Sequence, residues 1–228
     1  MEMVLKRRWL GDDANFAQSA AYQTPNLTLA AELGILRPRR RQRRGKAKIS
    51  IVFVNCHGRK KMLEDPSSDF LAKHSCSFLS ETMVTSDKHF SCFENKLNFV
   101  SFASRRLARG RPSGGLEWYV NPKLQASLIH SSDCSLVIKF SDIVLVGCYF
   151  SPTMEIDDII VEIDSVLSGL PNNTRVVLSG DLNLKPDTAS FEEFRKTLHH
   201  HGLFLKSHGT TPTFIGHNGS SEVDHIFA

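Results

Sequence analysis

The stretch "CSLVIKFSDIVLVGCYF", residues 134–150, restricts the fold more than any other part of the chain. Two apolar runs, 134–140 and 143–150, are separated only by Ser141-Asp142. Two residues close a hairpin but cannot span the crossover that parallel neighbours need, so these runs pair antiparallel. Their apolar density marks them as buried strands.

Other segments extend the pattern. "ISIVFVN" (49–55) is a β-branched strand ending at Asn55, and "CSFLSE" (76–81) is a second, ending at Glu81. "GGLEWYV" (114–120) and "LQASLIH" (124–130) flank Asn121-Pro122-Lys123, which reads as another hairpin turn. Ile156, Ile159, Ile160, Ile163, Val166, Leu167 and Leu170 fall at helical spacing. A strand at 175–180 follows, then a helix marked by Phe191, Phe194 and Leu198 that Gly202 ends, then a last strand in "EVDHIFA". Hairpins imply antiparallel pairing, and the two helices are free to cover outer faces. The expected fold is α/β: a four-layer sandwich of two packed, mixed and mainly antiparallel sheets with helices outside. No Gly-x-Gly-x-x-Gly follows the first strand and no Gly-Lys-Ser/Thr loop occurs, so dinucleotide and P-loop readings find no support.

A domain boundary is expected near residue 48. Residues 1–48 read as a disordered extension, with weak helix around 28–36 and an arginine-rich linker, and residues 49–228 as the folded domain. "RPRRRQRRGKAK" (37–48) carries eight basic residues and no acid. Removing those eight from the chain's 28 basic residues leaves 20 against 24 acids, so one short run supplies the net charge of +4. Such a run is a solvated linker, or an arm for nuclear import or nucleic acid. The five cysteines are odd in number and form no Cys-x-x-Cys, which argues against disulfides and for a reducing, intracellular compartment, nuclear or cytoplasmic. No apolar run reaches membrane-spanning length.

Polar residues fall where these strands end. Asn55 closes the first, Glu81 the second, Tyr149 lies near the end of the 143–150 run, Asp181 and Asn183 follow 176–178, and Asp224 lies in the last strand. Against a core, each needs partners. Converging carboxylates with no His or Cys pair nearby suit a hard ion, Mg²⁺ or Mn²⁺, better than zinc. Each residue also has a plain structural reading. Asn55 and the Asp181-x-Asn183 pair are turn formers, Glu81 is a turn cap, Tyr149 is a core aromatic and Asp224 is a surface strand residue.

Taken in order, these segments resemble the endonuclease/exonuclease/phosphatase superfamily, and within it the apurinic-endonuclease-like domain of non-LTR (LINE-type) retrotransposons. "FVNCHG" stands where that family has a strand ending in Trp-Asn, and "FLSETMV" is similar to its Gln-Glu-Thr strand. "RPSGGLEWYV" resembles a Gly-Gly strand and "CYFSP" a Tyr-x-x-Pro segment. "LSGDLNLKPD" is similar to Gly-Asp-Phe-Asn, with Leu for Phe, and "TPTFIGHNGSSEVDHIFA" to a Thr-x-x-x-Ser-x-Ile-Asp-x-Ile-Phe region. The resemblance runs from about residue 49 to the end. It implies a Mg²⁺- or Mn²⁺-dependent endonuclease that nicks DNA for target-primed reverse transcription. Glu81 would hold the cation with Asn55 near it, and Tyr149 would contact the scissile phosphate. Asp181 would orient or deprotonate the attacking water, Asn183 would hydrogen-bond that water or the phosphorane charge, and Asp224 would fix the tautomer of a catalytic histidine. Arg105, Arg106, Arg109 and Arg111 would form a basic rim for DNA phosphates.

The family ends its site with a Ser-Asp-His segment, and none occurs in this chain. The expectation is a C-terminally truncated domain lacking its last strand, with little or no nuclease activity. Two alternatives stand beside it: an inactive nucleic-acid-binding remnant, and a phosphoesterase of the same superfamily acting on lipid or inositol phosphates. His225 adjoins Asp224 and should face the opposite side of its strand. His199, His200 and His201 read as a polar helix end.

Overall fold

The protein is described by a computed structural model covering residues 2–6, 29–30, 49–64, 68–104, 110–171, 174–206, 214–216, 219–221 and 223–228. In chain order its elements are β1 (Glu2–Lys6), β2 (Leu29–Ala30), β3 (Ser50–Asn55), α1 (Arg59–Glu64), α2 (Ser68–Lys73), β4 (Cys76–Ser80), β5 (Leu97–Ser101), β6 (Leu116–Val120), β7 (Ser127–Ser131), β8 (Ser135–Phe140), β9 (Ile143–Tyr149), α3 (Ile156–Ser168), β10 (Arg175–Asp181), α4 (Ala189–His200), β11 (Phe214–Gly216), β12 (Gly219–Ser221) and β13 (Asp224–Phe227). One sheet runs β2-β1-β3-β4-β6-β5 and the other β13-β10-β9-β8-β7, while β11 and β12 pair separately.

The β8–β9 hairpin forms as its two-residue connection requires, with Phe140 opposite Ile143 and Ser141 at φ 53°. From β9 the chain crosses through α3 and returns as β10, parallel to β9. The α3 stripe Ile159, Ile163, Val166 and Leu167 is buried, and Asp157 and Asp158 sit in its first turn, where the helix dipole favours acids. Thr188 caps α4 by accepting from Phe191 N at 3.2 Å, and Gly202, at φ 74°, ends it as expected.

Three apolar clusters define four layers. Phe53, Phe78 and Trp118 of the first sheet meet Leu136, Ile138, Leu145, Val177 and Ile226 of the second. Trp118 Nε1 also donates to the Leu136 carbonyl at 2.8 Å, which satisfies the one polar atom of that buried indole. The outer face of the first sheet packs Val52, Val54, Leu79 and Tyr119 against Met62 of α1 and Leu71 of α2. The outer face of the second packs Val146, Leu178 and Phe227 against α3 and α4. This is the expected sandwich of two mixed sheets with helices outside.

Several local features depart from the sequence expectations or were not among them. Residues 114–130 do not form a hairpin. Both edges of β6 are taken by β4 and β5, so the 3₁₀ turn Pro122–Leu124 passes the chain to the other sheet, where β7 pairs with β8. The polar stretch after Glu81 contains an additional strand, β5. The parallel β3–β4 pair is bridged by α1 and α2, each six residues long. Leu29–Ala30, expected in a weak helix, instead pairs antiparallel with Glu2–Met3, because β1 offers a free strand edge there. β1 in turn runs parallel to β3, so part of the segment set apart at residue 48 contributes to the first sheet. The arginine run 37–48 lies outside the described residues.

Beyond β13, the backbone of 204–206 adds to the second sheet. Phe204 N donates to Ala228 O at 3.1 Å, Ala228 N to Phe204 O at 3.0 Å, and Lys206 N to Ile226 O at 2.7 Å.

Candidate catalytic site at the strand ends

Parallel strands deliver their C-terminal ends to one rim. Asn55 of β3 lies opposite Ser80 of β4, so Glu81 emerges beside the end of β3. In the second sheet Asp181 of β10 lies opposite both Tyr149 of β9 and Asp224 of β13. Directly opposed residues project to the same face of a sheet. Asp181, Tyr149 and Asp224 therefore share a face.

A hydrogen bond joins the two rims: Asn55 Nδ2 donates to Asp181 Oδ2 at 2.7 Å. Both strands end in the same local device. Asn55 Oδ1 accepts from His57 N at 3.1 Å, and Asp181 Oδ1 accepts from Asn183 N at 3.2 Å. Each is an Asx turn, in which a side-chain oxygen takes the N–H two residues on. Each puts a non-glycine residue in the left-handed region, His57 at φ 46° and Asn183 at φ 51°. Strained backbone of this kind costs of order 1–3 kcal/mol and persists where surrounding structure fixes it. Asn183 Nδ2 donates in turn to the Phe150 carbonyl at 2.7 Å.

On the Glu81 side, His57 Nδ1–H donates to Glu81 Oε2 at 2.7 Å. Glu81 is itself at φ 51°, and its segment is held from both flanks. Gly58 N donates to Glu81 O and Arg59 N to Thr82 O, at 2.8 and 3.0 Å. Opposite them, Thr82 N donates to Gly115 O and Met83 N to Gly114 O, at 3.1 and 3.0 Å. The Gly-Gly pair stands at φ 75° and 88°, a path that side chains rarely follow.

A continuous chain of contacts thus runs Glu81–His57–Asn55–Asp181–Asn183, with Tyr149 and Asp224 flanking Asp181. Asn55, Glu81, Asp181 and Asp224 are buried; Tyr149 is half-buried, its ring against the core between the sheets. Gly180 makes the approach possible: a Cβ there would stand 1.9 Å from the Cys148 carbonyl oxygen, at φ 149°. Among the described residues, no three His, Cys, Asp or Glu side chains converge as a ready-made metal cage.

Arg111 reaches this rim, with Nη2 at 3.5 Å from the His57 carbonyl and Nε at 3.1 Å from Met83 Sδ. Arg105, Arg106 and Arg109 lie outside the described residues. His225 turns away from Asp224. It is buried on the helix side, where its Nε2–H donates to the Leu184 carbonyl at 2.9 Å and its ring packs against Phe191. Burial pulls its pKa down to about 4, against the pull of that hydrogen bond. His201 Nε2 bonds Asp164 Oδ1 at 2.8 Å, tying α4 to α3, and His199 packs against Phe204.

Two neighbours of these residues were not read from the sequence. His57 is one; its signal is the Asn-x-His-Gly string closing β3, the counterpart of Asp181-x-Asn183. The other is a buried ion pair behind the His57 loop. Arg59 Nη1 donates to both Glu117 oxygens at 2.9 and 3.0 Å, Tyr119 Oη donates to Glu117 Oε2, and Phe90 lies 4.6 Å from the guanidinium. Burial works against the Arg59 charge, and the Glu117 carboxylate more than offsets it, leaving the guanidinium pKa raised.

No protein-family model and no curated protein sequence matches the chain. Solved structures do. The endonuclease domain of TRAS1, a telomere-specific non-LTR retrotransposon, superposes with TM-score 0.59 at 20% identity, covering 78% of this chain and 83% of that one. The 3′-5′ exonuclease NExo from Neisseria meningitidis gives 0.59 at 13% identity, covering 78% and 85%. The AP endonuclease LMAP from Leishmania major gives 0.60 at 14% identity, covering 78% of each. At these identities what is shared is the fold, two mixed sheets flanked by helices.

Proposed function

We propose that the chain hydrolyses phosphodiester bonds in DNA with a divalent cation, as a nicking endonuclease of the type carried by non-LTR retrotransposons. The observation behind this reading is the Asn55–Asp181 hydrogen bond, which joins the polar ends of two sheets into one site. The likeness in fold to the TRAS1 endonuclease domain supports it.

The donor set fits a divalent ion. Glu81 offers a buried carboxylate beside His57, and an ion of the Mg²⁺ class commonly takes one or two protein ligands and completes its shell with water and substrate phosphate. Bound there, the cation would neutralise charge on a non-bridging phosphate oxygen. The remaining work falls to the side chains. Asp181, its carboxylate plane fixed by Asn55 and by Asn183 N–H, orients the attacking water and accepts its proton. Asn183 supplies a neutral donor to the anionic centre, which suits that centre better than a second acid would. Tyr149 contacts the phosphate, Asp224 adds charge beside Asp181, and Arg111 meets a neighbouring phosphate of the duplex.

The test is nicking of supercoiled plasmid in Mg²⁺. Wild type, which carries no Ser-Asp-His, should nick slowly, chelation should stop it, and Asp181→Asn should slow it by about 100-fold or more, the usual value of a general base. Nicking unchanged by Asp181→Asn would overturn the assignment. The second reading, DNA binding without hydrolysis, rests on the lack of a Ser-Asp-His segment in the sequence. Plasmid retention without nicking by wild type, unaffected by Glu81→Ala, would favour it.

A further inference from the structure

We infer that His57 and Glu81 form a mixed nitrogen–oxygen corner that selects a transition-metal cation, Mn²⁺, over Mg²⁺. The inference deepens the proposed function and rests on its reading that the cation sits at Glu81.

Three observations carry it. The two donor atoms, His57 Nδ1 and Glu81 Oε2, are 2.7 Å apart. Ligands in neighbouring positions on one ion, at bonds of about 2.1 Å, stand about 3 Å apart, so one cation fits both atoms once the proton on Nδ1 moves to Nε2 and the ring turns its Nδ1 lone pair from Glu81 towards the ion. Both residues occupy left-handed backbone, φ 46° and 51°, that ordinary side chains avoid. Their strands are linked around them at three successive steps, by Cys56 N to Ser80 O, Gly58 N to Glu81 O and Arg59 N to Thr82 O, all within 3.0 Å. The backbone that carries both donors is therefore set before any ion arrives, which favours a selective site. Donor chemistry then decides between ions. Mg²⁺ prefers an all-oxygen shell and gains little from imidazole, whereas first-row transition ions gain from a nitrogen ligand.

His57→Asn is the informative variant, because Asn tolerates the left-handed conformation and keeps the turn intact. Binding of Mn²⁺ to the full chain is followed by loss of its free-ion electron paramagnetic signal, and Mg²⁺ is measured by competition. Wild type should bind Mn²⁺ at least about tenfold tighter than Mg²⁺. His57→Asn should lower Mn²⁺ affinity about tenfold or more, as even outer-shell partners of a metal do, and leave Mg²⁺ nearly unchanged. Nitrogen modulation in the electron spin echo of bound Mn²⁺ should be present in wild type and absent in His57→Asn. Modulation missing from wild type, or persisting in His57→Asn, overturns the inference. If Glu81→Gln abolishes binding of both ions while His57→Asn changes neither, the inference fails and the proposed function stands. If Glu81→Gln leaves binding of both ions unchanged, both fail.

Discussion

Asn55 and Asp181 belong to different sheets, 126 residues apart in sequence, and are joined at 2.7 Å by a buried hydrogen bond. Each side chain also closes its own turn, so neither can rotate without releasing the backbone behind it. Asn55→Ala leaves Asp181 Oδ2 without this donor and should cost about 1–3 kcal/mol in urea denaturation. Asn55→Asp sets a second carboxylate against the first and should be worse at pH 8. Two carboxylates this close do not both ionise comfortably, so the deficit of Asn55→Asp relative to Asn55→Ala should shrink as pH falls towards 5. A deficit independent of pH would show that the two side chains are not in contact.

Gly180 immediately precedes Asp181, at φ 149°, and an added Cβ would meet backbone rather than a side chain that could move aside. Gly180→Ala should therefore destabilise by about 3 kcal/mol or more, from overpacking and strained backbone together. Thermal unfolding followed by circular dichroism measures it. An alanine tolerated within 0.5 kcal/mol would contradict the close approach of β9 to β10.

His225 gives the fold a defined acid sensitivity. Its pKa is about 4 in the folded chain against 6.5 for the ordinary side chain, with burial as the cause. Between these values the unfolded chain binds the proton and the folded chain does not. Stability from this residue is therefore complete above about pH 6.5 and is lost as pH falls towards 4. The shift corresponds to roughly 3 kcal/mol. Urea midpoints at pH 7.5 and 4.5 should differ less in His225→Phe than in wild type, since Phe carries no charge to bury beside Phe191. Equal acid sensitivity in the two proteins would place the responsible group elsewhere.

The sequence disclosed these features unevenly, for physical reasons. The β8–β9 hairpin was legible because a two-residue connection leaves one solution. Helix α3 was legible because Ile159, Ile163 and Val166 repeat at helical spacing. β5 was not, because most of its residues are only half-buried and show no clean alternation. α1 and α2 are too short for periodicity to register. The turn at Pro122 was correctly read as a turn, but local chemistry does not reveal that both edges of β6 are already occupied. In the site, polar residues at strand ends stood out because each contradicts its apolar surroundings. His57 did not, because its partner Glu81 is 24 residues distant and only the pairing of β3 with β4 brings them together.

The buried pair Arg59–Glu117 couples fold to site. Arg59 is 3% exposed by side chain and Glu117 0%, so each charge depends on the other. Removing one partner leaves an uncompensated buried charge, and Arg59→Met alone should cost about 3–5 kcal/mol. Replacing both, Arg59→Met with Glu117→Leu, should recover much of that loss, because a buried pair is often no better than apolar side chains of similar volume. Stability and function should then separate. Arg59 N also bonds Thr82 O, and the side chain anchors the loop that sets His57 against Glu81. The double variant should therefore fold while its cation affinity falls. A double-mutant cycle in urea, run beside Mn²⁺ titration of the same proteins, checks both halves. A double variant as unstable as Arg59→Met would show that the ion pair is not the source of the loss. Full cation affinity in a stable double variant would show that the loop holds its shape without the anchor.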